Sequence, residues 1–230
     1  MKLSLTVYVI TTDVESNRYL KFLDRWSPHL DPWSIVPVGC SWRGIQPAYL
    51  NLRRWNSNFL FNRSLFLSSP EIGCMLSHKT ALEYFVRSKG STHALFLEDD
   101  IYPKHDFSLE RIYAILQRTE SGFIHLGGQD GLKPLFKPTL FAKNSGGGAL
   151  ELNRYFLSFL YRTCCYCVDV LTAAKILRVY EKYNVVADNW AFIRRKAKIK
   201  RMILYDMVSH PENLTESLLE STRHGGKRCH

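Results

Sequence analysis

Short apolar runs alternate along the chain with longer segments in which apolar residues recur at helical spacing. Val7–Ile10 is a β-branched and aromatic run that ends in polar residues, and Arg18 to Trp26 then shows helical spacing. Ser34–Val38 predicts a second strand. A helix is expected from Ser69 to just before Gly90, because a proline is tolerated in the first helical turn. The first half therefore predicts strands separated by helices.

The second half continues this alternation. The predicted strands are Ala94–Leu97, Phe123–Leu126 and Arg162–Val168, and the predicted helices are Phe107–Arg118 and Asp169–Tyr183. The first two strands are continuous apolar runs, which is typical of strands buried on both faces. We therefore expect one α/β domain over residues 1–230, with a mixed, mostly parallel central sheet flanked by helices. Trp42 to Leu67 has no clear period and stays unassigned.

Composition narrows the class of protein. A chain of 230 residues with 46% hydrophobic residues can bury a core and is neither disordered nor fibrous. Its six cysteines lack the dense framework of small secreted domains, so we expect reduced thiols. We expect the apolar start of the sequence to be a first strand rather than a signal peptide, and no run reaches the about 18 to 20 apolar residues that a membrane helix needs. We expect a cytoplasmic protein that touches a membrane at most from the side.

Three acidic residues, Glu98, Asp99 and Asp100, directly follow the predicted strand Ala94–Leu97. Neighbouring carboxylates repel one another unless a cation lies between them. In open α/β sheets, ligands bind at the carboxyl ends of strands. Such oxygen ligands suit Mg²⁺ or Mn²⁺, which bridge carboxylates to substrate phosphates. The triplet therefore predicts a metal-bound diphosphate, and a solvated turn or helix cap is the alternative.

The helix that begins at Ser69 carries Gly73, Ser77 and His78. A glycine inside a helix costs about 1 kcal/mol relative to alanine and is tolerated where a backbone or ligand approaches closely. Gly73 is therefore a candidate for the close approach of a ligand, and Ser77 and His78 lie on the same helix. Alternatively, Gly73 serves helix packing, and Ser77 and His78 are satisfied interior polar groups.

Two of these segments resemble a known family. Glu71–Cys74 with Leu76–His78, followed about twenty residues later by Leu97–Asp100, resembles the two signature blocks of glycosyltransferase family 25, the lipooligosaccharide-biosynthesis galactosyltransferases. Weaker similar blocks are Val7–Ile10 with Arg18, Ile124–Gly127, and Tyr166 before Ala173–Lys175. The resemblance implies a Rossmann-like GT-A fold, a nucleotide-sugar donor such as UDP-galactose, Mn²⁺ or Mg²⁺, and inversion at the anomeric carbon.

The resemblance also implies metal ligands. Glu98, Asp99 and Asp100 would take the place of the DxD motif, with Asp100 in direct contact with the metal and Glu98 or Asp99 second. His210 is the expected late residue that completes the metal shell, since imidazole suits Mn²⁺ better than Mg²⁺. A surface histidine before a proline turn is the alternative for His210.

The resemblance also implies further cofactor-binding residues. Thr11 and Arg18 flank the loop after the first strand, where GT-A enzymes hold the uridine, although Arg18 could also be a plain surface cation. Gly73, Ser77 and His78 are assigned to the cofactor site with them, as are Glu98 and Asp99.

An inverting transfer needs a general base that deprotonates the acceptor hydroxyl. Asp188, in a block that resembles the family's late acidic-aromatic block, is the first candidate, and its neighbour Trp190 is expected to stack on a sugar face. Asp130, which follows the strand Phe123–Leu126, is the second. A helix N-cap or a loop carboxylate is the alternative for each.

The chain is strongly basic, with 31 Lys and Arg residues against 21 Asp and Glu residues, which gives a formal net charge of +10. The segment from about 190 to 230 holds nine basic and four acidic residues, which gives +5. It predicts peripheral contact with an anionic inner membrane beside a lipid-linked oligosaccharide acceptor, or binding of that acceptor's phosphorylated core. A solvated basic face is the alternative.

The resemblance therefore implies an inverting, metal-dependent transfer of galactose from UDP-galactose to a sugar of a lipooligosaccharide or lipopolysaccharide core. UDP-glucose or a UDP-N-acetylhexosamine is the alternative donor. A basic nucleic-acid-binding protein is the alternative from another class. No RRM, KH, zinc-finger or helix-turn-helix signature is present, so no nucleic-acid partner is expected.

Overall fold

The computed structural model describes residues 3–31, 34–40, 48–49, 66–129, 142–144, 148–152, 160 and 162–210. The helices are α1 (Asn17–Trp26), α2 (Ser69–Arg87), α3 (Leu109–Arg118), α4 (Val170–Lys182) and α5 (Trp190–Ala197). The strands are β1 (Leu5–Ile10), β2 (Ile35–Val38), β3 (Ala48–Tyr49), β4 (Phe66–Leu67), β5 (His93–Glu98), β6 (Tyr102–Pro103), β7 (Phe123–Gly127), β8 (Ala142–Asn144), β9 (Leu150–Leu152), β10 (Cys165–Asp169) and β11 (Ile203–Ser209).

Within the described residues, nine strands form one mixed sheet in the order β2-β1-β5-β10-β7-β11-β9-β8, with β6 paired to β11. Strands β2, β1, β5, β7 and β11 run in the same direction, and β10 runs antiparallel between β5 and β7. This confirms the predicted mixed, mostly parallel sheet. A separate antiparallel pair, β3 and β4, falls in the stretch that the sequence pattern left unassigned.

Helices cover both faces of the sheet. Along β1 and β5, Tyr8 and Phe96 point to the face covered by α2, α4 and α5, while Val7 and Leu95 point to the face covered by α1 and α3. Successive side chains of a strand point to opposite faces, so a strand between two helix layers must be apolar at every position. This explains the continuous apolar runs that predicted these strands.

A row of aromatic rings crosses the sheet beneath α2. Tyr8 stacks on Phe96 with ring centroids 5.3 Å apart, Phe96 on Tyr166 at 4.8 Å, and Tyr166 on Phe123 at 5.7 Å. Each ring comes from a different strand, so the row joins β1, β5, β10 and β7. The packing fixes the position of Tyr166, whose hydroxyl reaches a buried histidine of α2.

Two predicted boundaries differ from the structure for local reasons. Helix α3 begins at Leu109 rather than Phe107, because Ser108 is its N-cap and accepts a hydrogen bond from the backbone N–H of Arg111. Strand β10 begins at Cys165 rather than Arg162, because Arg162 has a φ of 66° and leaves the extended region.

The described cysteines are Cys40, Cys74, Cys164, Cys165 and Cys167, and all five are free thiols. The last three lie in or next to β10, inside the core. This agrees with the predicted reduced state for the part of the chain that the structure describes.

The basic run at residues 193–201 forms most of α5 and the loop before β11. Ile193 and Ala197 face the core, whereas Arg195 and Lys196 are exposed. The basic run precedes β11, whereas His210 follows the other end of this strand. Because a seven-residue strand spans about 20 Å, the basic run and His210 are separated by about that length. Among the described residues, no helix combines the length and the apolar character needed to cross a membrane.

Candidate active site

The predicted site residues converge at one edge of the sheet. Strands β1, β5, β7 and β11 all end there, and the residues that follow or end them are Thr11, Asp99, Asp100, Gly128 and His210. Strand β10 runs the other way, so the residues that precede it also reach this edge. The carboxyl ends of parallel strands are the usual ligand-binding edge of an α/β sheet.

Asp100 and His210 form a buried pair at this edge. Nε2 of His210 lies 3.4 Å from Oδ2 of Asp100, and each side chain is 8% exposed. Burial favours a raised pKa for Asp100, but the hydrogen bond from His210 and the charge of Arg18 outweigh it, so the pKa lies below its usual value. Burial would lower the pKa of His210, but the contact with Asp100 raises it. Each side chain therefore favours the charged form of the other, and His210 is not an isolated surface histidine.

The same two residues fit a divalent cation. Oδ1 of Asp100 is buried and has no hydrogen-bond partner within the described residues. A buried carboxylate oxygen without a partner is costly, and a bound cation would satisfy it. A carboxylate beside an imidazole is a donor set that suits Mn²⁺. Asp100 and His210 are thus the residues that could hold the metal at this edge.

Asp99 points instead to α1. Nε of Arg18 donates to Oδ1 of Asp99 at 2.6 Å, and Nη2 of Arg18 lies 3.5 Å from Oδ2 of Asp100. Burial raises the pKa of Asp99 despite the opposing charge of Arg18. Arg18 is therefore an ion-pair partner of both aspartates and not a plain surface cation. The buried Thr11 donates its hydroxyl hydrogen to the carbonyl of Asp13 at 3.1 Å, in the loop that leads to α1.

Glu98 lies on the α2 side of the edge. Its Oε1 is 3.2 Å from Nε2 of His78, and the hydroxyl of Thr163 donates to the same oxygen. Nδ1 of His78 lies 3.1 Å from the hydroxyl of Tyr166, whose pKa is raised by burial and which therefore stays protonated. The ligand atoms of Cys74, His78 and Glu98 lie within 4.8 Å of one another, and burial raises the pKa of the Cys74 thiol.

Ser77 and Gly73 hold the loop after β2. The Ser77 hydroxyl donates to the carbonyl of Gly73 at 2.8 Å and accepts from the backbone N–H of Cys40 at 2.9 Å. The adjacent Gly39 packs so closely that a Cβ there would overlap the carbonyl oxygen of Thr11. The side chains of Ser77 and His78 are buried and engaged within the protein, and direct contact with a cofactor stays a prediction for both.

Asp188 lies in the loop before α5. Its Oδ2 accepts a hydrogen bond from the backbone N–H of Arg162 at 3.3 Å. The N-cap of α5 is Asn189, whose side chain accepts from Phe192, so Asp188 is not a helix cap. Asp188 is partly exposed and lies beside Arg162, close to the ligand-binding edge of the sheet. Asp130, the second candidate base, lies outside the described residues.

The expectation that Trp190 stacks on a sugar is wrong. Its side chain is 1% exposed and packs edge-on against Phe123 and Tyr166. Its Nε1 donates to the carbonyl of Arg162 at 3.0 Å. A buried ring in the core cannot offer a face to a substrate, so Trp190 supports the loop at Arg162 instead.

Sequence reasoning missed Arg162. Its Nη1 donates to the carbonyl of Gly128 at 2.7 Å, at the end of β7. Gly128 has a φ of 75°, and a Cβ at this position would overlap Sγ of Cys164, so glycine is required there. No motif around Arg162 gives a signal, because its contacts come from residues 26 to 37 positions away.

A cleft of about 310 Å³ adjoins the Asp100–His210 pair on the side of α1. It is lined by Asn17, Arg18, Lys21, Arg25, Asp99, Asp100 and Tyr102. The guanidinium of Arg25 lies 3.8 Å above the ring of Tyr102. The cleft therefore combines carboxylates with cations, as a site for a metal and phosphates requires.

Comparisons of fold identify similar solved structures. Residues 1–349 of S. aureus TarS match with a TM-score of 0.50 and 13% identity, covering 96% of this chain and 68% of that one. A glycosyltransferase involved in the glycosylation of the major capsid of PBCV-1 matches with a TM-score of 0.45 and 10% identity, covering 96% of this chain and 98% of that one. The likeness to TarS confirms the expected GT-A fold.

Comparisons of sequence identify the family. No curated protein matches the chain by sequence. The family model described as glycosyltransferase family 25 (LPS biosynthesis protein) matches residues 52–191. This range includes α2 with its Gly73, Ser77 and His78, the acidic triplet and Asp188, and it is more than half of the chain. The chain therefore belongs to glycosyltransferase family 25.

Proposed function

We propose that this glycosyltransferase moves galactose from UDP-galactose to a sugar of a lipooligosaccharide or lipopolysaccharide core, with a divalent metal and with inversion. The observation that carries the proposal is the buried Asp100–His210 pair with its unpartnered carboxylate oxygen. It lies at the ligand-binding edge of the sheet, next to a cleft lined by cations. A metal-bound diphosphate is the ligand chemistry that this combination fits best.

Asp100 and His210 would hold the metal, with Mn²⁺ preferred over Mg²⁺ because of the imidazole. When bound, the metal supplies neutralisation of the charge that grows on the leaving UDP. Glu98 is kept in place by His78 and Thr163 and would act as a neighbouring carboxylate of the cofactor site.

Asp188 is the proposed general base. Its Oδ2 is held by the N–H of Arg162, and the residue is partly exposed. Oδ1 would accept the proton of the acceptor hydroxyl as that oxygen attacks the sugar, on the face opposite to UDP. Asp130 remains the second candidate.

Thr11 and Arg18 would bind the nucleotide at the ends of β1 and α1. Arg18 already lies against Asp99 and Asp100, so it would approach the phosphates together with the metal. Gly73 and Ser77 would act through the loop at Cys40, which their hydrogen bonds hold beside Thr11.

The lipid-linked acceptor and peripheral contact with an anionic inner membrane are proposed from the basic segment. Its described exposed cations include Arg195 and Lys196, at the opposite end of β11 from His210. Sedimentation with vesicles that contain anionic lipid tests this contact, which should weaken as salt is raised. Equal binding to neutral vesicles would contradict it.

Transfer assays with UDP-galactose, UDP-glucose and UDP-N-acetylglucosamine in the presence of Mn²⁺ test the reaction and the donor. We expect the highest kcat/KM with UDP-galactose. A higher value with another donor would keep the reaction and replace the sugar. Tight, salt-sensitive RNA or DNA binding without any use of a UDP-sugar would favour the nucleic-acid alternative.

Asp100→Asn tests the metal assignment, with Asp206→Asn as the matched control. Asp206 is 70% exposed and pairs with Lys104, away from the Asp100–His210 pair. We expect Asp100→Asn to lower kcat/KM at least about 100-fold, because it removes an anionic ligand of the metal that would neutralise the developing phosphate charge. Asp206→Asn should stay near wild type. Full transfer by Asp100→Asn would contradict the metal assignment.

A further inference from the structure

Arg162 has an unusual backbone. Its φ is 66°, in the left-handed region that non-glycine residues rarely adopt. Within the described residues, the other non-glycine residue with positive φ is Lys198, at 54°, the C-cap of α5. A C-cap is a common place for this conformation, whereas Arg162 precedes a core strand. Such outliers persist where the surroundings enforce them and are concentrated at functional sites.

Three parts of the fold enforce the conformation of Arg162. Its carbonyl accepts from Nε2 of His125 on β7 at 2.9 Å and from Nε1 of Trp190 on α5 at 3.0 Å. Its N–H donates to Asp188, in the loop before α5. His125 and Trp190 are buried and pack against each other edge-on, so they cannot follow a change at Arg162 without disturbing the core.

This backbone directs the side chain of Arg162 to the candidate metal ligands. Its Nη1 is anchored on the carbonyl of Gly128. A Cβ on Gly128 would lie 3.9 Å from the Cβ of His210, so the guanidinium is held at the strand end next to the Asp100–His210 pair. The side chain is partly exposed and can meet a ligand at this edge.

We infer that Arg162 binds the diphosphate of the nucleotide-sugar donor, an assignment that rests on the proposed function. A guanidinium is a planar fork of donors that matches phosphate oxygens, and its anchor on Gly128 fixes the direction of that fork. In the transfer, the acceptor oxygen bonds to the anomeric carbon and its proton goes to Asp188. The bond from that carbon to the β-phosphate oxygen breaks, and its electron pair stays on the phosphate. Arg162 stabilises this charge.

Arg162→Gly isolates the side chain, because glycine adopts a φ of 66° without strain and keeps the backbone groups that bond to His125, Trp190 and Asp188. Lys198→Gly is the matched control for relief of strain, at the opposite end of β11 from His210. The affinity for UDP is measured by calorimetry in the presence of Mn²⁺. The affinity for uridine, which has no phosphate, is measured by ligand-detected NMR.

We expect Arg162→Gly to weaken UDP binding by about 10- to 100-fold, the range of a lost charge-assisted hydrogen bond. Uridine affinity should stay within about twofold, with a melting temperature at or above that of wild type. Lys198→Gly should bind UDP as wild type does. Arg162→Asn, which also tolerates the left-handed region, should repeat the UDP result if the glycine variant folds poorly.

Unchanged UDP binding in both Arg162 variants would overturn the inference. An equal loss of UDP and uridine would also overturn it, since that pattern indicates a structural role. If wild-type protein with Mn²⁺ binds no UDP, the proposed function fails instead, and the two failures are thereby distinguished.

Discussion

Buried His125 makes the stability of the fold dependent on pH. Burial lowers its pKa to about 4, although the hydrogen bond to the carbonyl of Arg162 acts in the opposite direction. Nδ1 accepts a hydrogen bond from the backbone N–H of Gly127, so a proton on Nδ1 would bring two donors face to face. The folded protein therefore keeps His125 neutral.

The sign and size of the effect follow from linkage. In the unfolded chain a histidine has a pKa near 6.5, so the unfolded state binds a proton before the folded state does as the pH falls. Above about pH 6.5 His125 is neutral in both states and does not lower the free energy of unfolding. Between about pH 6.5 and 4 the free energy of unfolding falls progressively. Between pH 7 and 4.5 the loss in unfolding free energy is about 2 to 3 kcal/mol.

Urea unfolding of wild type and His125→Gln at pH 7 and 4.5 measures this loss. Glutamine keeps a donor near the carbonyl of Arg162 but does not titrate. We expect the variant to be less stable at pH 7, and to lose about 2 to 3 kcal/mol less than wild type between the two pH values. The exposed His105→Gln controls for the replacement of a histidine. Equal losses in wild type and His125→Gln would refute the reasoning.

Three further substitutions test the packing around the site by chemical denaturation. Gly39→Ala should destabilise by about 3 kcal/mol, since its Cβ overlaps the Thr11 carbonyl; wild-type stability would contradict the close approach. Phe96→Ala should cost about 3 to 5 kcal/mol by opening the aromatic row, and a cost below 1 kcal/mol would contradict its role. Tyr166→Phe should cost about 1 to 3 kcal/mol and lower kcat, because Nδ1 of His78 loses its partner; unchanged stability and kcat would count against the network.

Hydrophobic patterning predicted most elements that carry the site, because strands between two helix layers are continuously apolar. Ala94–Leu97 and Phe123–Leu126 both lie within strands of the structure, and the acidic triplet follows β5 as expected. Strand β11 was not predicted. Its sequence from Ile203 to Val208 is apolar except at Asp206, and such a run favours a buried strand. The basic run at residues 193–201 precedes it.

Other features depend on contacts that no local pattern encodes. The sequence analysis predicted that Asp100 and His210 share a metal site. It could not predict that the three acidic side chains each contact a different element, because those contacts depend on where α1, α2 and β11 lie in the fold. The left-handed φ of Arg162 comes from hydrogen bonds to distant residues. Trp190 was expected to stack on a sugar face because a sequence motif does not distinguish a buried ring from an exposed one.

Thermal unfolding with UDP and Mn²⁺ tests the metal-dependent donor site most directly. Relative to wild type with saturating Mn²⁺, addition of UDP at about 100 times its dissociation constant should give about 3 kcal/mol, or about 6 to 12 °C in melting temperature, and UDP without Mn²⁺ should give a smaller shift. Asp100→Asn should lose the part of the shift that requires Mn²⁺. An undiminished Mn²⁺-dependent shift in Asp100→Asn, or no shift in wild type, would contradict the account.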